Sequence, residues 1–153
     1  MTTTKRRRER QELNPDLGVL SWRLWHTIQR ELFDRLSEAG YEDLRPRHAE
    51  VLAYLDEDGV RATDLARLTG RHKQLIGRLI DELEQLGYLE RRPDPADRRA
   101  KLIVPTERGL AQMRLGDEVI AEIERRHAEA NGPRIYADFR NILRGLVARE
   151  RSA

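Results

Sequence analysis

The stretch Gly87-Tyr-Leu-Glu-Arg-Arg-Pro-Asp-Pro-Ala-Asp-Arg-Arg-Ala-Lys-Leu-Ile-Val-Pro105 admits few folds. It spells a strand, a charged turn and a second strand: a hairpin with an arginine tip. Pro93 and Pro95 stiffen the turn and remove N–H groups that would invite further strand pairing. Just before it, Arg71 to Leu86 reads as a helix with basic and amide groups crowded at its start. Its Leu75, Ile76, Leu79, Ile80, Leu83 and Leu86 recur at i, i+3 and i+4, and Gly87 supplies a C-terminal stop. Upstream, Thr63 caps a short helix with Leu65, Ala66 and Leu68 inward, and Gly70 breaks it. Two helices joined by a short turn containing Gly follow the helix-turn-helix plan.

The flanking segments read as amphipathic helices. Asn14-Pro15 is a helix start. Leu17, Leu20, Leu24, Ile28, Phe33 and Leu36 then mark one face, and Trp22, Trp25, Gln29 and Phe33 a second. A helix with two apolar faces needs two partners, here its own domain and a second subunit. Pro46 opens a helix that Gly59 ends, and Val60-Arg61-Ala62 suits an edge strand. Thr106 caps a long helix carrying Leu110, Met113, Ile120 and Ile123. Asn131-Gly132-Pro133 then starts a last one with Ile135, Phe139, Ile142, Leu143, Leu146 and Val147. Neither terminal stripe can be buried on the small central motif alone. The expected fold is mostly α with a small β-hairpin wing. Residues 1–13 form a disordered basic tail, 14–40 a dimerisation helix, 44–105 a winged helix-turn-helix, and 106–151 further dimerisation helices.

Composition excludes several classes. With no Cys there is no disulfide framework, thiolate nucleophile or cysteine zinc site. No apolar run approaches the roughly 20 residues that cross a bilayer. No apolar segment follows the basic Lys5, Arg6, Arg7, Arg8 and Arg10, so these are not read as a secretory signal, and a cytoplasmic protein without membrane attachment is expected. His-Ala-Glu occurs at His48 to Glu50 and at His127 to Glu129. No Pro-Cys-x-x-Cys follows either, and there is no His-Glu-x-x-His. No enzyme, metal site or cofactor is expected. The net charge of +2 is small, so where the cations lie matters more than how many there are.

In a helix-turn-helix the start of the second helix meets base edges in the major groove. Those residues are Arg71, His72, Lys73 and Gln74, with Arg78 one turn on. Arg and Lys match guanine O6/N7, and Gln matches adenine N6/N7. The acidic Asp81, Glu82 and Glu84 belong at the far, solvent end. Gly77 either lets the helix approach DNA closely or relieves crowding against a neighbouring helix. In the hairpin, Asp97 stands two residues before Arg99, on the same side of an extended strand. Its carboxylate can pre-set the guanidinium for a minor groove, where Arg reads A·T-rich width. Arg91, Arg92, Arg98 and Lys101 add phosphate-seeking charge. On the helix alone these cations fit an ordinary solvated face; the hairpin beside it favours a duplex.

Residues 46–105 resemble the winged helix-turn-helix of the MarR (multiple antibiotic resistance regulator) family. The matching pieces are Thr63-Asp-Leu-Ala-Arg-Leu-Thr-Gly70, Lys73-Gln74 with Arg78-Leu-Ile-Asp-Glu-Leu-Glu84, and the wing Asp94-Pro-Ala-Asp-Arg-Arg99. Pro105-Thr-Glu-Arg-Gly109 is similar to the family's Leu-Thr-x-x-Gly, with Pro for Leu. His72 and Gly77 stand where Ser or Thr and Ser are usual, and Arg45-Pro-Arg-His48 replaces Thr-Pro-x-Gln. The resemblance implies a homodimer joined by its first and last helices. It also implies binding to a pseudo-palindromic operator that is released on taking up a small ligand.

Trp22, Trp25 and His26, with Arg47 and His48, form a candidate pocket for a small aromatic or anionic effector. Core or dimer packing is the competing reading of the same residues. The expected function is sequence-specific binding of double-stranded DNA by a homodimeric transcription regulator, a ligand-responsive repressor. The rival is a dimer of the same fold that acts as a protein-interaction adaptor without specific DNA binding.

Overall fold

The computed structural model describes residues 2–150, the side chains of 2–6 and 10 excepted. Met1 and residues 151–153, ends of the expected tail and last segment, lie outside the described residues. The chain divides into two compact units, residues 1–116 and 117–153. It is mostly helical with one small antiparallel sheet.

The first unit opens with α1 (Thr2–Leu13) and α2 (Leu17–Glu38). The segment expected to be disordered is thus helical from residue 2. Arg, Glu, Gln and Leu are good helix formers, and Arg8 reaches Glu12 one turn on at 3.0 Å. The start of α2 falls at Asp16 rather than Asn14, because the Asp16 carboxylate accepts the Val19 N–H at 2.9 Å. A 3-10 turn (Pro46–His48), α3 (Ala49–Leu52), β1 (Val60–Arg61), α4 (Ala62–Thr69) and α5 (Lys73–Gln85) follow. The single long helix expected after Pro46 is therefore a tight turn and one α turn. His48 Nδ1 accepts the Arg45 N–H at 3.1 Å and holds that turn closed.

β2 (Leu89–Asp94) and β3 (Asp97–Pro105) form the wing, and β1 joins β3 on its other edge. Leu89 faces Pro105 and Pro93 faces Lys101, while β1 adds only Val60 to Ile103 and Arg61 to Leu102. The expected stripe of α5 is buried at Ile76, Leu79, Ile80 and Leu83. It packs in one cluster with Leu36, Leu44, Val51, Leu55, Leu65, Ala66, Tyr88, Leu89 and Ile103. Each large side chain so buried stabilises by about 1.5–3 kcal/mol before entropy is counted. This core therefore fixes α5 and the wing as one body. α6 (Glu107–Asn131) begins here, with Thr106 accepting the Gly109 N–H at 3.1 Å, and runs through the boundary at Gly116.

The second unit holds the rest of α6 and α7 (Pro133–Glu150). Arg140 pairs with Glu124 at 3.2 Å, and His127 stacks on Tyr136. α7 buries no residue; its Ile135, Phe139, Ile142, Leu143, Leu146 and Val147 are all exposed. No helix among the described residues is long and apolar enough to cross a membrane.

Acid should expose one support of the first unit. Hydrogen bonds from His48 and Arg47 hold the Glu82 carboxyl below its ordinary value of 4.5. The folded state therefore binds this proton less readily than the unfolded state. Glu82's stabilisation is complete above pH 4.5 and is lost as pH falls through the lower folded-state value. Glu82→Gln should melt below wild type at neutral pH, and the two melting temperatures should converge as pH falls from 4.5 downward. A gap that persists unchanged would assign the loss to packing instead.

Candidate nucleic-acid interface

α5 starts with its donors uncovered. His72 is extended (φ −64°, ψ 139°) and makes no side-chain cap. The first N–H groups of the helix are thus left for an outside acceptor. Beside them His72, Lys73, Gln74 and Arg78 are exposed, opposite the buried stripe. Neither Lys73 nor Arg78 has an ion-pair partner among the described residues. Gly77 resolves half of its earlier ambiguity: a Cβ there would meet nothing within 4 Å, so no neighbouring helix crowds it.

The wing repeats the pattern. Arg98, Arg99 and Lys101 are exposed on β3, and none pairs with a carboxylate among the described residues. Asp97 receives the Arg99 backbone N–H at 3.0 Å. The expected carboxylate-to-guanidinium contact is therefore a carboxylate-to-backbone one. It sets the main chain at Arg99 and leaves the guanidinium outward.

Three expected phosphate or base contacts are engaged elsewhere. Arg71 grips Glu50 through Nε at 2.6 Å and Nη2 at 2.9 Å. Arg91 reaches Asp81 and Glu84 on α5. Arg92 donates to Glu90 at 2.8 Å. These pairs have a plain electrostatic cause: each arginine stands beside a carboxylate that would otherwise face the cationic surface unpaired. Arg91 in particular neutralises the acidic end of α5, which the sequence reading left to solvent.

The expected effector pocket also changes membership. A cavity of about 1030 Å³ opens between α2 and the α3–α4 region. Trp25, His26, Gln29, Phe33, Arg47, Glu50, Tyr54 and Arg71 line it. Trp22 does not; its ring meets His26 edge-on at 4.4 Å. His48 does not either. It is buried, with Nε2 3.0 Å from Glu82, because closing the Pro46–His48 turn draws its ring into the core. Sequence reading missed Gln29 as a lining residue; its Oε1 is buried and has no hydrogen-bond partner among the described residues. It also missed the wing's inner clamp, where Arg61 Nε donates to Asp94 at 2.7 Å. The visible signals were an amide on an apolar helix stripe and an Asp between two prolines. Among the described residues no cluster of His, Asp or Glu is placed to hold a metal.

Comparison with known proteins agrees with the fold. A sequence profile of the MarR family matches residues 42–100. A comparison with curated protein sequences gave no match. Among solved structures, a MarR-family transcriptional regulator from Rhodococcus sp. RHA1 is 27% identical (TM-score 0.68), covering 88% of this chain and 95% of that one. CouR from Rhodococcus jostii RHA1 bound to p-coumaroyl-CoA is 31% identical (TM-score 0.65), covering 88% and 93%. The transcriptional repressor CouR bound to a 23-mer DNA duplex is 26% identical (TM-score 0.66), covering 91% and 94%. The chain belongs to the MarR family and is a DNA-binding transcription regulator rather than an enzyme.

Proposed function

We propose that this chain is a homodimeric, ligand-responsive repressor of a pseudo-palindromic operator. The start of each α5 enters a major groove, and the tip of each wing enters the flanking minor groove. One observation carries this reading. Among the described residues Lys73, Arg78, Arg98, Arg99 and Lys101 have no carboxylate partner, while Arg71, Arg91 and Arg92 beside them are paired. Phosphates and base edges are the acceptors that such free donors suit. Two recognition helices related by a two-fold axis would read half-sites about 34–36 Å apart.

Dimer formation is supported by apolar surface on both terminal elements. Leu17, Leu20, Trp22, Leu24 and Trp25 are exposed on α2, and α7 exposes a full stripe. The effector reading is supported by the cavity with Trp25 and His26 on one wall and Arg47 on another. A relative 31% identical is bound to p-coumaroyl-CoA. An aromatic ring and an anion fit these walls, and Trp fluorescence reports on them. Titration with p-coumarate and with p-coumaroyl-CoA should quench the signal and release bound duplex. Silence with both would leave the regulator without this ligand class.

The salt dependence of duplex binding tests the reading as a whole. With an operator selected from a random pool, log K should fall linearly with log salt at a slope of about −0.9 per phosphate neutralised. A flat response, or no selectable operator, would favour the adaptor reading. Gly77→Ala adds a sharper check. The helix should gain stability by about 1 kcal/mol, because Ala is the better helix former and meets no neighbour. Operator affinity should nevertheless fall, since the added methyl occupies the face presented to DNA. Equal affinity would remove the close-approach role of Gly77.

A further inference from the structure

Asp94 is the one buried carboxylate of the wing, at 5% exposure. It ends β2, at the point where the ladder becomes irregular and Asp94 stands opposite Asp97. Both of its oxygens are used. Oδ1 accepts the Ala96 N–H at 2.8 Å and closes the turn. Oδ2 accepts Arg61 Nε at 2.7 Å, and Arg61 Nη2 reaches the same oxygen. Arg61 is the last residue of β1, and α4 starts at the next position.

Strand pairing alone does not fix the tip. β1 contributes only the pairs at Ile103 and Leu102, so from Lys101 outward β3 is paired on one side, with β2. A two-stranded ribbon by itself is marginal and free to twist. The Arg61 fork spans that unsupported stretch and ties the turn to the start of α4. Past the turn, Asp97 fixes the backbone at Arg99. A run of directed bonds thus leads from the helix-turn-helix to the backbone that carries Arg99.

We propose that Arg61 and Asp94 are a positioning pair for DNA reading, which sets where Arg99 meets the flanking groove relative to the Lys73 and Gln74 contacts. This rests on the wing reading above. Neither residue touches DNA; both act through Arg99. Two guanidinium N–H groups converging on one carboxylate oxygen suit the task, because the contact is charge-assisted and is held from two donors at once.

The test uses the full-length protein and the selected operator, carried between A·T-rich and G·C-rich flanks. Asp94→Asn retains an oxygen for Ala96 but gives up the charge. It should lower affinity on A·T flanks by about tenfold over the two protomers, a part of the loss in Arg99→Ala. The ratio of affinities on the two flanks should shrink toward that of Arg99→Ala. Base preference inside the half-sites should stay as in wild type. The double variant Asp94→Asn/Arg99→Ala should bind no worse than Arg99→Ala alone, because both changes remove one contact. Arg61→Lys keeps the positive charge and loses the fork. It should give the same flank loss, and it answers the question if Asp94→Asn does not fold.

A flank ratio left at the wild-type value in Asp94→Asn or Arg61→Lys, with Arg99→Ala still effective, overturns the positioning role. So does additivity of Asp94→Asn with Arg99→Ala, or an equal loss on every sequence, which marks a structural pair. If Arg99→Ala itself leaves the flank ratio untouched, the wing reading fails and the pair's role fails with it.

Discussion

Arg99→Ala should bind an A·T-flanked operator about 30- to 150-fold more weakly than wild type. Each protomer loses one solvent-screened contact worth about 1–1.5 kcal/mol, the upper range of an ordinary net hydrogen bond, and a dimer loses two. Arg99 is exposed on β3, its backbone N–H is held by Asp97, and among the described residues its guanidinium has no carboxylate partner. Its loss is therefore not offset by a new internal pair. The narrow minor groove of A·T-rich DNA concentrates negative potential where the guanidinium would sit. The loss should accordingly be largest on A·T flanks and small on G·C-rich ones. Fluorescence anisotropy titrations against matched duplexes decide this. Equal affinity of variant and wild type on both flanks would remove Arg99 from the interface. Arg91→Ala offers the contrast. With its guanidinium turned onto Asp81 and Glu84, it should cost stability and change affinity much less.

Gly109→Ala should have the largest effect on folding. A Cβ built on Gly109 would collide with the Tyr88 carbonyl oxygen and lie 3.1 Å from its carbon. The obstacle is backbone, so no rotamer change relieves it. That carbonyl also accepts the Thr106 N–H at 3.0 Å, and Thr106 Oγ1 donates to the Gly87 carbonyl at 2.6 Å. Arg108 lies over the buried Tyr88 ring at 4.3 Å and donates to the Leu86 carbonyl at 2.8 Å. The start of α6 is thus locked to the link between α5 and β2, and it must move as a whole to admit a methyl group. Overpacking of this kind costs about 3 kcal/mol, which lowers the melting temperature by roughly 10 °C. A denaturant titration in which Gly109→Ala matches wild type would show that the start of α6 yields freely. Gly77→Ala, expected to stabilise, runs as the opposite-sign control in the same experiment.

The two predictions also separate what was legible from what was not. The α5 stripe was legible because burial on one side forces a 3.6-residue period, and Ile76, Leu79, Ile80 and Leu83 keep it. The wing was legible because prolines and alternation at Pro93 and Pro95 leave the backbone little choice. Gly109 was placed by motif alone; the reason for it, a carbonyl 21 positions earlier, lies in the packing. The destination of each cation was hidden for the same reason. Arg71 meets Glu50, Arg61 meets Asp94 and His48 meets Glu82, all far apart in sequence. Periodicity says which face a side chain takes and nothing about which carboxylate waits there. The helix at 2–13 escaped for a different reason. Charge density suggested a solvated tail, while the i to i+4 spacing of Arg8 and Glu12, present in the sequence, favoured a helix.

Because the chain contains no Cys, a single Ala96→Cys gives one attachment point at the exposed wing tip for a tethered iron–EDTA group. Hydroxyl-radical cleavage of the selected operator then maps where each tip rests. Two cleavage zones of equal strength, in minor grooves placed symmetrically about the operator centre, are the expected result. A single zone, cuts spread evenly along the duplex, or cleavage confined to the operator centre would contradict a dimer that holds major and flanking minor grooves together.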